Sequence, residues 1–309
     1  MKHPVAFIGS NCIDEYYSID SVPQLGDKVL CRYLDSKIGG MIGNAASVYA
    51  GFGNTTFMLD FMNLNPSNQI LLDDLVQSNI NIDYIYFDET YPDSKCMIML
   101  KDGERIIYVM DNSKIIHRLN PEQIDCLKEC EYVYTSLGDL IQIENYSEVI
   151  KTIHEHNTKL VIDVEKNSLS LSNDLLNDLS YASILFINEQ AHEVLQDRIG
   201  DEYVNTLVKQ DCLLVFTQAE RGSTVYSKDS KIHIPAYKVN VKDTTGAGDT
   251  YNVSFLNRLN QGYAYYDCGL FASAAAALCI TEIGARSGVN NEDKVLIFMK
   301  SGTLLENYS

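Results

Sequence analysis

The 309-residue chain contains no run of eighteen apolar residues, so no membrane-crossing helix is expected. Its N-terminal apolar run, Val5-Ala6-Phe7-Ile8, is too short for a secretory signal and reads as a buried first strand. The eight cysteines include no Cys-x-x-Cys pair, and the closest two, Cys126 and Cys130, have helical spacing. Without a secretory signal this favours reduced thiols in a cytoplasm over disulfides or zinc. Positive charge is scarce: 24 Lys and Arg stand against 42 Asp and Glu, a formal charge of −18. That balance opposes general nucleic-acid binding, and no nucleic-acid partner is expected. A phosphate-bearing ligand would have to be met by backbone amides, a few cations and metal ions.

Several signatures are also missing. There is no Gly-x-x-x-x-Gly-Lys-Ser/Thr, which excludes a P-loop enzyme. Gly246-Ala247-Gly248 lacks the third glycine of a dinucleotide fingerprint and lies far from the first strand. No His-Glu-x-x-His and no Gly-x-Ser-x-Gly occurs, against a zinc protease and against a hydrolase of the nucleophile-elbow type. His154 and His156, two apart on a helical pattern, cannot share a face.

What is present is a core-forming composition, 46% hydrophobic and 21% charged, which argues for a packed α/β domain rather than disorder. The first strand runs into Gly9-Ser10-Asn11-Cys12-Ile13-Asp14, the form of a ligand-facing strand end in an open α/β sheet. Asp14 is therefore either a substrate contact or a turn residue. Gly39-Gly40-Met41-Ile42-Gly43-Asn44 is a glycine turn opening a small-residue helix closed near Gly51 and Gly53. Asn44 stands at its mouth as a cap or a ligand contact. Strands are expected at 56–62 and 82–87 with a helix at 66–78 between them. Asp102-Gly103 between two apolar runs signals a hairpin over 96–109.

From Pro121 onward helices at 121–130, 145–156 and 173–181 precede strands at 132–137, 160–164 and 184–187. A helix begins near Glu189, a strand follows at 213–217, and 224–226 with 232–234 forms an antiparallel pair. Helices at 248–259 and 264–281 close the chain. This alternation implies βαβ units around a mostly parallel sheet with helices on both faces. The β-rich segments at about 12–36 and 94–111 interrupt it. They are expected to form a small inserted sheet that covers the crevice as a lid, within one main domain spanning 1–309.

The chemistry centres on Asp243-Thr244-Thr245-Gly246-Ala247-Gly248-Asp249-Thr250. A small-residue turn opening a helix offers unpaired amides to an anion, and a carboxylate just beyond it can take a proton from a nucleophile facing that anion. This stretch resembles the C-terminal signature of the ribokinase-like, or phosphofructokinase-B, family of carbohydrate kinases. Gly39 to Asn44 resembles the family's N-terminal signature. The two occur in order, about two hundred residues apart, and the resemblance covers nearly the whole chain.

The resemblance implies a ribokinase-like fold and transfer of the γ-phosphoryl of ATP to a sugar hydroxyl, with Mg²⁺. It makes Asp249 the base and Gly246, Ala247 and Gly248 the anion hole. It places Asp14, Gly39, Gly40 and Asn44 on the sugar, and Asn188, Thr217, Gly222 and Gly248 on the nucleotide. Asp243, Thr245, Glu282 and Gly284 fall where many members bind a monovalent cation such as K⁺ through backbone carbonyls. A homodimer through the lid is implied by resemblance alone. Three positions depart from the pattern. Glu189 directly follows Asn188 where the family has Asn-x-x-Glu, leaving Glu189 or Glu193 to organise Mg²⁺. Ala219 replaces the first glycine of Thr-x-Gly-x-x-Gly, and Met41 stands where a lysine is frequent. Within the same fold a nucleoside kinase is the alternative, with Tyr16, Tyr33 and Tyr108 as candidates to clamp a base. A binding protein that has lost transfer is another.

Overall fold

The computed structural model describes residues 4–102, 104–110, 116–286, 288–289 and 291–305. Gly103 of the expected hairpin turn and residue 111 at the end of the expected lid segment lie outside the described residues. In chain order the first half comprises β1 (Val5–Ile8), β2 (Cys12–Ile19), β3 (Cys31–Gly39), α1 (Met41–Gly51), β4 (Thr56–Leu59), β5 (Phe61–Met62), α2 (Pro66–Gln77), β6 (Tyr86–Phe87), β7 (Lys95–Lys101) and β8 (Glu104–Val109). The regular part follows as α3 (Pro121–Lys128), β9 (Tyr132–Ser136), α4 (Leu137–Ile141), α5 (Tyr146–Glu155), β10 (Lys159–Val164), α6 (Leu175–Ser180), β11 (Ile184–Asn188), α7 (Glu189–Ile199), α8 (Tyr203–Lys209) and β12 (Leu213–Thr217). The chain finishes with β13 (Ser223–Ser227), β14 (Ser230–Ile234), β15 (Tyr237–Lys238), α9 (Ala247–Asn260), α10 (Tyr265–Cys279), α11 (Glu292–Ser301) and β16 (Thr303–Leu304).

The main sheet has eight strands in the order β14-β13-β12-β11-β10-β9-β1-β4. Pairing is parallel from β4 through β12, and the last two pairings, β12 with β13 and β13 with β14, are antiparallel. Strands buried on both faces need apolar side chains at every position. In β1 Val5 and Phe7 enter one core with α1, α9 and α10, while Ala6 and Ile8 enter the other with α3, α5 and α7. The alternation follows from the two-residue period of a strand. Chain order reverses at β1, which has β4 on one side and β9 on the other. Such a switch point opens a crevice beyond the carboxyl ends of the strands.

A separate four-stranded sheet, in the order β3-β2-β7-β8, is built from the segments read as a lid, with β3 continuing to Gly39. β2 and β7 pair in parallel, and each edge strand joins its neighbour antiparallel. The expected single strand over 56–62 is two strands, because Asp60 turns its carboxylate onto the amides of Phe61 and Asn11 (2.7 and 3.2 Å). Of the expected strand at 82–87 only 86–87 is extended: Ile85 N bonds Ile82 O in a turn. A third helix, α11, follows the two expected to close the chain.

Candidate active site

The loop before α9 places the late signature over the crevice. Gly246 adopts φ 77°, and an added Cβ would meet Ala285 at 2.7 Å, so only glycine fits there. No side chain caps α9. The Ala247 amide bonds Thr244 O at 3.3 Å, and nothing lies within 4 Å of where a Gly248 Cβ would stand. An uncapped helix start under open space is a fit for an anion. One turn on, the Asp249 carboxylate is half-buried at the crevice floor, and desolvation by the surrounding protein lifts its pKa to about 7.

The early signature meets it. Asn44 Nδ2 donates to Asp249 Oδ2 at 2.8 Å across 205 residues of sequence. Asn44 does not cap α1, whose first position is taken by Gly40 at φ 92° with no side-chain cap. Its Oδ1 instead accepts from Arg286 Nε at 2.9 Å, which turns the amide group toward Asp249. Arg286 also donates to Gly39 O at 3.0 Å and to Asn11, and pairs with Asp74. Asp14, on β2, is 8% exposed, and burial raises its carboxyl pKa. Asp14, Gly40, Asn44, Asn188, Gly246, Ala247, Gly248 and Asp249 share one crevice of about 970 Å³.

Other expected residues stand elsewhere. Asn188 caps α7 by accepting from Ala191 N at 2.9 Å while also facing the crevice. Thr217 bonds Ile187 O at 3.3 Å, and Gly222 at φ 85° packs against Ile234 O; neither lines the crevice. Glu189 pairs with Arg221, and Glu193 is exposed on α7 outside the crevice. Ala219 keeps the left-handed φ, 49°, at the position where the resembling family has glycine. Asp243 accepts from Thr245 N and Oγ1 and, through its other oxygen, from Gly284 N (3.0, 2.7 and 2.9 Å). Glu282 faces Lys242 at 3.5 Å.

Five features carry no local signal in the sequence. Arg105 of β8 reaches over from the small sheet to Thr245 Oγ1 (2.6 Å), Thr244 Oγ1 (3.4 Å) and Asp243 (3.5 Å). Arg286 arrives from a loop after α10. Below Asp249, Tyr134 Oη and Asn252 Nδ2 donate to the buried Asp163 at 3.0 and 2.8 Å. Burial and then the neighbouring Asp249 charge push Asp163 to about 8. Glu165 faces the crevice at the end of β10. An aromatic wall closes the crevice, with Phe61 stacked on His117 (centroids 4.4 Å apart) and Tyr91 5.3 Å from the imidazole. His117 Nδ1 is buried without a hydrogen-bond partner among the described residues. Tyr16, Tyr33 and Tyr108 do not line the crevice, and Tyr33 packs edge-on against Tyr17 in the small sheet.

A switch-point crevice beside a small accessory sheet, with an open helix start next to a half-buried carboxylate, defines an α/β protein of the ribokinase-like fold. The chain belongs to the pfkB family of carbohydrate kinases, whose family model matches residues 2–292. It is 26% identical over 296 residues to a nucleoside kinase of Methanocaldococcus jannaschii, covering 94% of this chain and 95% of that protein. To a ribokinase of Bacillus subtilis it is 24% identical over 293 residues, covering 94% and 97%. Its fold matches that of Arabidopsis thaliana ribokinase, solved with ribose and ATP, at a TM-score of 0.81 and 22% identity over 97% of this chain and 99% of that one. Among the described residues no helix is long and apolar enough to cross a membrane.

Proposed function

We propose that the protein transfers the γ-phosphoryl of ATP to a sugar hydroxyl, with Asp249 as general base and the 246–248 turn as anion hole. The supporting observation is the 2.8 Å bond from Asn44 to Asp249, which unites both signatures at the crevice floor. Asp249 takes the hydroxyl proton as the acceptor oxygen bonds to phosphorus and the bond from phosphorus to the leaving ADP oxygen breaks. Amides at the start of α9 receive the charge that builds on the transferred group. Asp14, Gly39, Gly40 and Asn44 hold acceptor hydroxyls, since carboxylate and amide groups bond vicinal hydroxyls directionally. Asn188, which faces the crevice, serves the nucleotide side, whereas Thr217 and Gly222 stand outside the crevice and are not assigned to it.

Magnesium bound with ATP would neutralise phosphate charge. Glu165 and Asn188, both facing the crevice, suit a hard cation that prefers oxygen ligands. Glu189 and Glu193 do not reach the crevice and are not assigned to it. The carboxylates of Asp243 and Glu282 are not offered to potassium, since Asp243 receives Arg105 and two backbone amides and Glu282 is turned to Lys242; backbone carbonyls alone would hold that ion, and no step is assigned to it.

The aromatic wall favours a second acceptor, a nucleoside whose base stacks against Phe61 and His117. ATP consumption over a panel of ketoses, aldoses, sugar acids and nucleosides decides between them. Phosphorylation of nucleosides but not free sugars selects the second acceptor. Binding without phosphorylation of any compound would leave a sugar- or nucleotide-binding protein and end the kinase reading.

A further inference from the structure

Two thiols at the acceptor end of the crevice have no role in the chemistry above, and they stand beside Asp14. Cys12, beside the start of the small sheet, and Cys96, on the paired strand β7, bring their sulfurs to 4.0 Å, although 84 residues separate them in sequence. Asp14 Oδ1 lies 3.4 Å from Cys12 Sγ. The three ligand atoms all fall within 4.8 Å of one another, and all three residues line the crevice. We propose that Cys12, Asp14 and Cys96 bind one zinc-type divalent cation, and that its occupation excludes the acceptor substrate.

The spacing matches what a tetrahedral zinc requires. With zinc–sulfur bonds of about 2.3 Å and zinc–oxygen of about 2.0 Å, two thiolates stand about 3.8 Å apart, and a thiolate and a carboxylate oxygen about 3.5 Å. The observed 4.0 and 3.4 Å need shifts of a few tenths of an ångström, and the third separation, Cys96 to Asp14, lies within 4.8 Å and has to close to about 3.5 Å as the ion binds. A disulfide would need the sulfurs to close to about 2.05 Å and would leave the carboxylate unused. Two thiolates and one carboxylate select a borderline or soft ion over magnesium.

The surroundings set limits on this site. Arg105 and Arg286 are the cations that act on Asp14, and they oppose a second positive charge. Two thiolates and a carboxylate outweigh a divalent ion by one negative charge, so the ligand set remains anionic toward both guanidinium groups. Three protein ligands leave the fourth position free for water in the crevice. The proposal that the cation excludes the acceptor rests on Asp14 serving acceptor hydroxyls, because one carboxylate cannot do both.

The test uses the full reduced chain without ATP or acceptor. Cobalt(II) titrated anaerobically should give one thiolate-to-metal charge-transfer band per chain, and zinc should bleach it with one-to-one stoichiometry. Cys96→Ala, at the half-buried ligand, should weaken cobalt binding by roughly a hundredfold or more, whereas Cys31→Ala, at the exposed thiol, should leave it unchanged. No band, or a band that survives in Cys96→Ala, overturns the site. Because this readout needs no turnover, it stands apart from the kinase reading. In a second arm, an acceptor identified from the panel should displace cobalt competitively. Simultaneous binding of both would overturn the exclusion while leaving the metal site in place.

Discussion

Asp249 combines burial with a single strong donor, and the balance decides its chemistry. Burial lifts its pKa to about 7, while the Asn44 amide opposes the rise by stabilising the ionised form. A base must be deprotonated to act, so kcat/KM should rise with pH and level off above about 7, falling about tenfold per unit below it. Asp249→Asn cannot accept the proton. Its turnover should drop by roughly a hundred- to ten-thousand-fold, with acceptor affinity held within a few-fold. Stopped-time ATP assays over pH, with acceptor binding by calorimetry, measure both; near-normal turnover would remove the proposed base. Asp249 and Asn44 could be picked out from the chain because each sits in a short stretch of unusual residues. Arg286 could not. Its partner Asn44 is 242 positions away, and an arginine in a surface-like loop carries no mark of burial. The same holds for Cys12 and Cys96, whose meeting depends on the parallel pairing of β2 with β7.

Elements with strong periodicity were recoverable, and those set by one polar contact were not. The βα alternation from Pro121 to Thr217 follows hydrophobic pattern and agrees with the observed strands to within a residue or so. The break at Asp60 depends on a side chain bonding two amides, and α8, with seven residues, is too short to show a face. Ala219, in the 3₁₀ turn after β12, shows a local rule kept by the backbone and broken by the side chain. Its φ of 49° belongs to a region that costs a non-glycine residue roughly 1–2 kcal/mol. Ala219→Gly should therefore stabilise the fold by about 0.5–1 kcal/mol, after the greater freedom of glycine in the unfolded chain is subtracted. Urea denaturation would register this as a higher midpoint at unchanged slope, and a lower midpoint would refute the strain. Arg105 joins the small sheet to the signature loop by donating to the hydroxyls of Thr245 and Thr244 and through an ion pair with Asp243 whose arginine is 39% exposed, the ion pair alone being worth at most about 1 kcal/mol.

Taken over the whole chain, the excess of acid extends into the interior. Burial raises Asp60 and Asp163 to about 8 and Asp249 to about 7. A carboxyl whose pKa is higher folded than unfolded contributes stability that is complete below about pH 4 and is lost as pH rises through the folded value. Asp163→Asn keeps the shape and cannot ionise. Its melting temperature should gain on that of the parent as pH is raised from about 4 to about 8 and level off above that, and a difference that stays constant from about 4 to 8 would show that Asp163 is ionised throughout. The position of β1 has a kinetic consequence as well. Among the described residues this four-residue strand links β4 to β9, and its pairing with Tyr132–Thr135 spans more than 120 residues. On a ribosome, β1 and β4 would emerge early and wait, one edge bare, for the strand that completes the sheet. Closure over so long a loop is slow, so a chain arrested before β9 exposes the apolar edge that invites aggregation.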